Sequence, residues 1–92
     1  MASDILHVGF GNVVVAPRVV VIVAPDSLPV RRMIREARDK GLLVDASRGR
    51  KVKSVIVLDD GHVVASALHT STIARRLEQC KQPEDYEDAR AS

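Results

Sequence analysis

Four arginines cluster in one predicted helix, where their spacing could bind an anion such as a nucleic-acid phosphate. They are Arg31, Arg32, Arg35 and Arg38. Arg31, Arg35 and Arg38 lie at i, i+4 and i+7, so they share one face of the helix. Arg31 has no acidic residue three or four positions further on, and a cation in the first turn opposes the helix dipole. An external anion explains this arrangement better than a purely structural role does.

A solvated, salt-bridged surface is the alternative explanation of this helix. Arg32 and Glu36 are four residues apart, as are Arg35 and Asp39, and this is the spacing of an ion pair on a helix surface. The total charge does not decide between the two explanations, because 14 Lys and Arg against 12 Asp and Glu leave a net charge of only +2.

A second basic segment is predicted to form an exposed turn. It reads Arg48-Gly49-Arg50-Lys51-Val52-Lys53 and contains no acidic residue. Long basic side chains at the tip of a turn suit contact with the phosphates or a groove of a duplex. Arg18 adds an isolated base between Pro17 and an apolar strand. Because these groups lie on separate elements, the sequence alone does not show whether they converge.

Other residues that could do chemistry form weaker patterns. Gly9 and Gly11 lack the third glycine and the following helix of a dinucleotide-binding loop, so a tight bend or bulge is the better interpretation. The histidines are scattered and form no helical pair, and no Ser, His and Asp set stands out. Cys80 falls on the apolar stripe of a helix, which favours a packing role over a reactive thiol. We therefore predict no enzyme activity, no metal, no cofactor and no small-molecule substrate.

Composition restricts the class of protein. The 92 residues suffice for one domain, and no run of 18 apolar residues is present to span a membrane. The first residues lack the pattern of a signal peptide, and one cysteine excludes an internal disulfide, so we expect a cytoplasmic protein. Phe10 and Tyr86 are the only aromatic residues, which disfavours base stacking and favours phosphate contacts on a duplex. A core this small is often completed by self-association.

Charge is unevenly distributed along the chain. Residues 83–92 hold four acids and one arginine and show no apolar periodicity, so we interpret them as a disordered acidic tail. Residues 1–82 then hold 13 bases against 8 acids and form the predicted domain. That domain is more basic than the net charge of the whole chain suggests.

The first half of the chain predicts strands and then a helix. Residues 5–8 and 13–16 are strand segments, and the β-branched run 19–24 is typical of a strand covered on both faces. Ser27 is the predicted N-cap of the helix, and Gly41 ends it. Its apolar stripe consists of Val30, Met33, Ile34 and Ala37.

The second half predicts three strands and a second helix. Residues 42–45 form a short strand, and residues 52–58 and 62–68 pair as an antiparallel hairpin through Asp59-Asp60-Gly61. Thr70 or Ser71 is expected to cap the second helix, whose stripe includes Ile73, Ala74 and Leu77. The order β-β-α-β-β-β-α predicts a small single α+β domain with two helices and a mostly antiparallel sheet.

In this order the segments resemble the RemA-like family of small bacterial regulatory proteins. The resemblance runs from about Ile5 to Leu77. The similar stretches are Val8-Gly9-Phe10-Gly11-Asn12, Ala24-Pro25-Asp26-Ser27, Pro29-Val30-Arg31-Arg32-Met33-Ile34, Glu36-Ala37-Arg38-Asp39-Lys40-Gly41, Val44-Asp45-Ala46-Ser47, Gly49-Arg50-Lys51, Val55-Ile56-Val57 and Asp60-Gly61-His62-Val63.

The resemblance implies a DNA-binding transcriptional regulator. Members of the family are associated with activation of extracellular-matrix genes in biofilm formation, and with closed ring-like homo-oligomers, expected to be octamers, that bind double-stranded promoter DNA. By motif position, the DNA contacts would be Arg18, Arg50 and Lys51, with Arg31 and Arg32 as further candidates. Gly9, Gly11 and Pro29 would have structural roles. Lys51 stands where the family often has a second arginine, and lysine keeps the charge but loses the planar fork.

Three alternatives stay open at this point. The protein could be an oligomeric scaffold whose arginines form salt bridges between subunits. It could bind RNA instead of duplex DNA. An enzyme is a more distant alternative, which a dry pocket with convergent polar groups would favour.

Overall fold

A four-stranded sheet lies between two layers of other elements. The computed structural model describes residues 4–80. Its strands and helices are β1 (Ile5–Gly9), β2 (Asn12–Val15), β3 (Val19–Val23), α1 (Leu28–Lys40), β4 (Leu43–Asp45), β5 (Ser54–Leu58), β6 (Val63–Ser66) and α2 (Thr70–Gln79), with a single 3-10 turn at Ala16–Arg18. Strands β1 and β2 form a separate antiparallel hairpin. The main sheet has the order β3-β5-β6-β4, in which only the β4–β6 pair is parallel.

Successive side chains of β5 and β6 point to opposite faces of the sheet, and each face packs against different elements. Val55 of β5 and Val63 of β6 lie in an apolar cluster with Ala37 of α1. Ile56 and Val64 point to the opposite face, where they pack in a second cluster. The partners in that second cluster come from the hairpin and from α2, and they are Leu6, Val8, Val14 and Ile73. Successive side chains of a strand point to opposite faces, so both central strands are covered on two sides.

Helix α1 begins and ends where its capping residues predict. The Val30 N–H donates to the Ser27 hydroxyl (3.3 Å), and Pro29 lies in the first turn, where no backbone donor is needed. Gly41 adopts a left-handed φ of 75°, and its N–H donates to carbonyls of the last turn. The predicted apolar stripe of this helix packs against the sheet.

A buried hydroxyl joins the hairpin to the main sheet. Ser66 Oγ donates to the Val8 carbonyl (2.7 Å) and accepts from the Leu68 N–H (3.1 Å). Ser54, its cross-strand partner, is equally buried, but its hydroxyl has no hydrogen-bond partner within residues 4–80. Two adjacent buried serines therefore have opposite hydrogen-bonding states.

The structure confirms the predicted α+β class, the mostly antiparallel sheet and the order of elements. Asn12–Val15 forms a strand of its own.

The expectation that residues 19–24 are covered on both faces is wrong for the single chain. Strand β3 lies at a sheet edge, and Val20 is 65% exposed beside an irregularity in its pairing with β5. The predicted domain boundary at residue 82 and the acidic tail lie outside the described residues.

Helix α2 differs from its prediction at two points. Its N-cap is His69, which makes no side-chain capping hydrogen bond, and neither Thr70 nor Ser71 caps it. Ala74 is exposed, although the stripe places it toward the core, whereas Ile73 and Leu77 do pack there. In the described part of the chain, no helix is long and apolar enough to cross a membrane.

The two serines give a matched test of the fold. Ser66→Ala should lower the free energy of unfolding by about 1–3 kcal/mol, because the Val8 carbonyl and the Leu68 N–H both lose their buried partner. Ser54→Ala should stay within about 0.5 kcal/mol of the wild type or exceed it, because it removes an unpaired buried hydroxyl. Urea titration measures both values. Equal destabilisation by the two substitutions would contradict the assignment.

Candidate nucleic-acid interface

A two-residue turn joins β1 and β2 and carries an exposed aromatic ring. Phe10 and Gly11 lie between the paired residues Gly9 and Asn12 and have φ values of 52° and 78°. Positive φ at both central residues is typical of a hairpin turn that follows the twist of its strands. The Asn12 amide donates to the Gly9 carbonyl (3.0 Å) and closes the turn. Glycine adopts such a φ freely, but a phenylalanine is strained there.

A second turn, between β4 and β5, repeats this geometry with an arginine. Arg48 and Gly49 have φ values of 55° and 78°, and the Arg50 N–H donates to the Ser47 carbonyl (3.0 Å). The base of this turn is held by Asp45, whose Oδ1 accepts from the Ser47 hydroxyl (2.5 Å) and the Ser47 N–H (2.9 Å). These two hydrogen bonds hold the pKa of the Asp45 carboxyl below its usual value.

The two turns meet at one end of the sheet, where two guanidinium groups approach one ring. The Cζ atoms of Arg48 and Arg50 each lie 5.7 Å from the centroid of the Phe10 ring, within the range of a cation–π contact. Neither arginine forms an ion pair with any residue in 4–80. Because β3 and β4 finish and β5 begins at this end, we term it the basic end of the sheet.

Further predicted site residues lie near the basic end. Arg31 and Arg32 are exposed in the first two turns of α1, which begins a few residues after β3 finishes. Lys51 is exposed and directly follows Arg50. The ion pairs that spacing allows on α1, from Arg32 to Glu36 and from Arg35 to Asp39, are not formed. The helix therefore presents free cations in place of a salt-bridged surface.

Arg18 lies at the other end of the sheet. Val19 pairs with Leu58 at the finish of β5, whereas Val23 pairs with Val55 near its start. Arg18 Nε lies 3.6 Å from Asp59 Oδ1, and both side chains are about half exposed. The Asp59 N–H also donates to the Arg18 carbonyl (2.9 Å). A single chain thus does not bring Arg18 together with the Arg48–Arg50 turn.

The predicted structural residues lie at the ends of elements or in a turn. Gly9 has a φ of 108°, and a Cβ atom there would be 3.5 Å from Leu68 Cγ. Gly11 is the second central residue of the β1–β2 turn, and Pro29 lies at the start of α1.

A cavity of about 650 Å³ lies between the hairpin and α2. Its polar lining includes His7, Arg76, Gln79 and Cys80. The Cys80 thiol donates to the Ile5 carbonyl (3.2 Å), and burial raises the pKa of this thiol. An activated cysteine nucleophile has the opposite features, a lowered pKa and an adjacent base. Cys80 instead packs against the core cluster, as its position on the α2 stripe predicts.

The basic end includes Phe10, which sequence reasoning did not select, and Arg48, which it placed in the basic turn but not among the proposed DNA contacts. Each directly precedes a glycine in a predicted turn, and this Xaa-Gly pairing was the available signal. The contact between them joins turns that are far apart in the sequence. Residues 4–80 contain no group of three or more metal-ligating side chains.

Known proteins similar to this chain are named as regulators. The chain matches the RemA-like family, described as extracellular matrix regulatory protein A-like, over residues 5–77. A Clostridium botulinum relative named "Putative regulatory protein" is 46% identical over 88 residues, which cover 96% of this chain and 97% of the relative. Relatives with the same name are 43% identical in Pelotomaculum thermopropionicum (97% of this chain, 98% of the relative) and 51% identical in Desulforudis audaxviator (84% and 81%). The chain therefore belongs to the RemA-like family of regulatory proteins.

Proposed function

We propose that this regulatory protein binds double-stranded promoter DNA and controls transcription of extracellular-matrix genes of the biofilm type. It acts in the cytoplasm at the nucleoid, as a ring-shaped homo-oligomer, expected to be an octamer. The proposed DNA contacts are Arg18, Arg31, Arg32, Arg50 and Lys51. The observation that supports this proposal most directly is the exposed turn at Arg48–Lys51, whose arginines have no acidic partner within residues 4–80.

Unpaired cations at the basic end favour a polyanionic partner. Basic residues that stabilise a fold are usually offset by nearby carboxylates, whereas phosphate contacts need exposed Lys and Arg with free donors. The described residues also lack a stacking platform for single-stranded nucleic acid, because Phe10 is their only exposed aromatic side chain. Together these features favour contact with the phosphate backbone of a duplex.

Self-association is supported by apolar side chains left uncovered on one chain. The exposed apolar residues include Val20 and Val21 on the edge strand β3, and Val13 and Val15 on β2. A sheet edge with unpaired backbone groups and β-branched side chains is a surface that proteins normally cover. A second copy of the chain is the proposed cover.

An assembly would also resolve the separation of the proposed DNA contacts. Arg18 and Arg50 lie at opposite ends of the sheet in one chain. Neighbouring subunits in a ring can place the Arg18 of one copy near the basic end of the next. Repeated weak contacts then raise avidity by roughly 10²- to 10⁴-fold where the geometry permits simultaneous binding.

Salt dependence of DNA binding tests the proposal. Binding to a promoter-length A/T-rich duplex should weaken linearly with the logarithm of salt concentration, with a slope of about 0.9 per phosphate neutralised. Arg50→Ala should flatten this slope and leave the mass from light scattering unchanged. Arg75 is an exposed residue of α2 outside the basic end. Arg75→Ala is therefore the matched control and should change the slope less.

The alternatives predict other results in the same experiment. A scaffold would lose mass on the Arg50→Ala change and would bind no duplex at any salt concentration. An RNA-binding protein would release DNA when an RNA duplex of equal length competes. Either result would overturn the proposal.

A charge on the edge strand tests the proposed subunit contact. Val20→Lys should reduce the mass measured by light scattering, because a buried ammonium without a partner disfavours association. Circular dichroism should stay unchanged, since this side chain is exposed in the single chain. Ala74 is an exposed residue of α2, so Ala74→Lys is the control and should leave the mass unchanged. An unchanged mass for Val20→Lys would place the subunit contact elsewhere.

A further inference from the structure

Phe10 has no packing role that explains its position. It is 43% exposed, and it belongs to neither apolar core cluster. The chain contains no other phenylalanine, and this one has much of its ring exposed to solvent. An exposed aromatic at a strained turn position is unfavourable for stability taken alone. A role beyond folding would explain this residue at this site.

Phe10 and Arg48, which contact each other, both have unfavourable backbone conformations. These two are the non-glycine residues with positive φ among residues 4–80, and their side chains are in contact. Strained conformations persist where the surroundings over-determine them, and they concentrate at functional sites. Here the two turns belong to different layers of the fold, the hairpin and the main sheet. The Ser66 hydrogen bond to Val8 holds those layers together next to the contact.

The ring also explains how two like charges can sit close together without a carboxylate. Both guanidinium carbons lie 5.7 Å from one centroid, so they are no farther apart than twice that distance. Like charges repel each other, and the negative face of the ring attracts both guanidinium groups. Contact with the ring further restricts side chains that would otherwise sample many rotamers, which reduces the entropy lost on binding.

We propose that Phe10 is a positioning residue that holds Arg48 and Arg50 together as a pair for phosphate contact, and that Arg48 is itself part of the DNA interface. Neither guanidinium group has an acidic partner within residues 4–80, so both keep donors free for phosphate oxygens. This inference rests on the proposed function. It adds two residues to the site and assigns Phe10 an action through the arginines, without direct contact with the bases.

Replacement of the ring tests this role in the full-length protein. Phe10→Leu keeps an apolar side chain but removes the aromatic face, and it should weaken binding to the A/T-rich duplex by about two- to fivefold for each subunit that contacts DNA. Phe10→Tyr restores an aromatic face and should restore the affinity to within about twofold. Both variants should keep the wild-type mass and thermal midpoint, which separates positioning from folding. Arg48→Ala should weaken binding to a similar extent as Arg50→Ala.

A double-mutant comparison shows whether Phe10 acts through the arginines. In a protein carrying Arg48→Ala and Arg50→Ala, the further change Phe10→Leu should have no effect on affinity. If it weakens binding as much as in the wild type, the ring contacts DNA directly and the positioning role is overturned. Equal affinity of Phe10→Leu and the wild type would overturn it as well.

A readout without DNA separates this inference from the proposed function. In nuclear magnetic resonance spectra of the free protein, the side-chain Nε–H signals of Arg48 and Arg50 should be shifted by the ring current of Phe10, and Phe10→Leu should abolish the shift. Absence of that shift would overturn the positioning role whatever the protein binds. Failure of the wild-type protein to bind any duplex would instead overturn the proposed function. The ring-current result would still show whether Phe10 contacts Arg48 and Arg50.

Discussion

Burial of β5 and β6 on both faces is the constraint on which the rest of this structure depends. Val55 and Val63 require cover on one side, and Ile56 and Val64 require it on the other. Helix α1 supplies the first cover, and the hairpin with α2 supplies the second. Because burial of apolar surface is the main stabilising term in a domain of this size, the chain has little freedom to place these layers elsewhere. The β1–β2 and β4–β5 turns are therefore held in place by the core from which their strands extend.

Placement of the layers brings the basic turns together at one end of the sheet. The hairpin crosses the sheet so that its turn ends near Ser66, and the β4–β5 turn leaves the sheet beside the same strand pair. Arg48 and Arg50 thereby reach Phe10 from a different layer. The core thus brings together basic side chains that have no acidic partner within residues 4–80 and that belong to neither apolar core cluster. Such a surface is free to bind the polyanion of the proposed function.

Local signals predicted the structure well, and contacts between distant segments were missed. Ser27, Pro29 and Gly41 set the limits of α1 through interactions within a few residues, so the sequence predicted them correctly. The α2 cap was misplaced because His69 begins the helix without a side-chain bond, and Ala74 lies just outside the buried stripe. The DNA contacts stay a prediction: the sequence shows the arginines as residue types, whereas their separation into two ends of the sheet follows from strand register. The contact of Phe10 with Arg48 depends on how two layers stack, which no local pattern encodes.

The burial that the sequence of Val19–Val23 predicts differs from the burial observed in the single chain. The continuous β-branched residues of this run predict cover on both faces, and the single chain leaves the strand at an edge with Val20 largely exposed. A sequence reflects burial in the functional state, so this mismatch between predicted and observed burial supports the proposal that another molecule covers β3. In the proposed ring that molecule is a second subunit. The same contact would carry Arg18, which directly precedes β3, toward the basic end of a neighbour. In the proposed ring, subunit pairing at β3 would therefore complete the proposed DNA interface, whose basic residues a single chain leaves at opposite ends of the sheet.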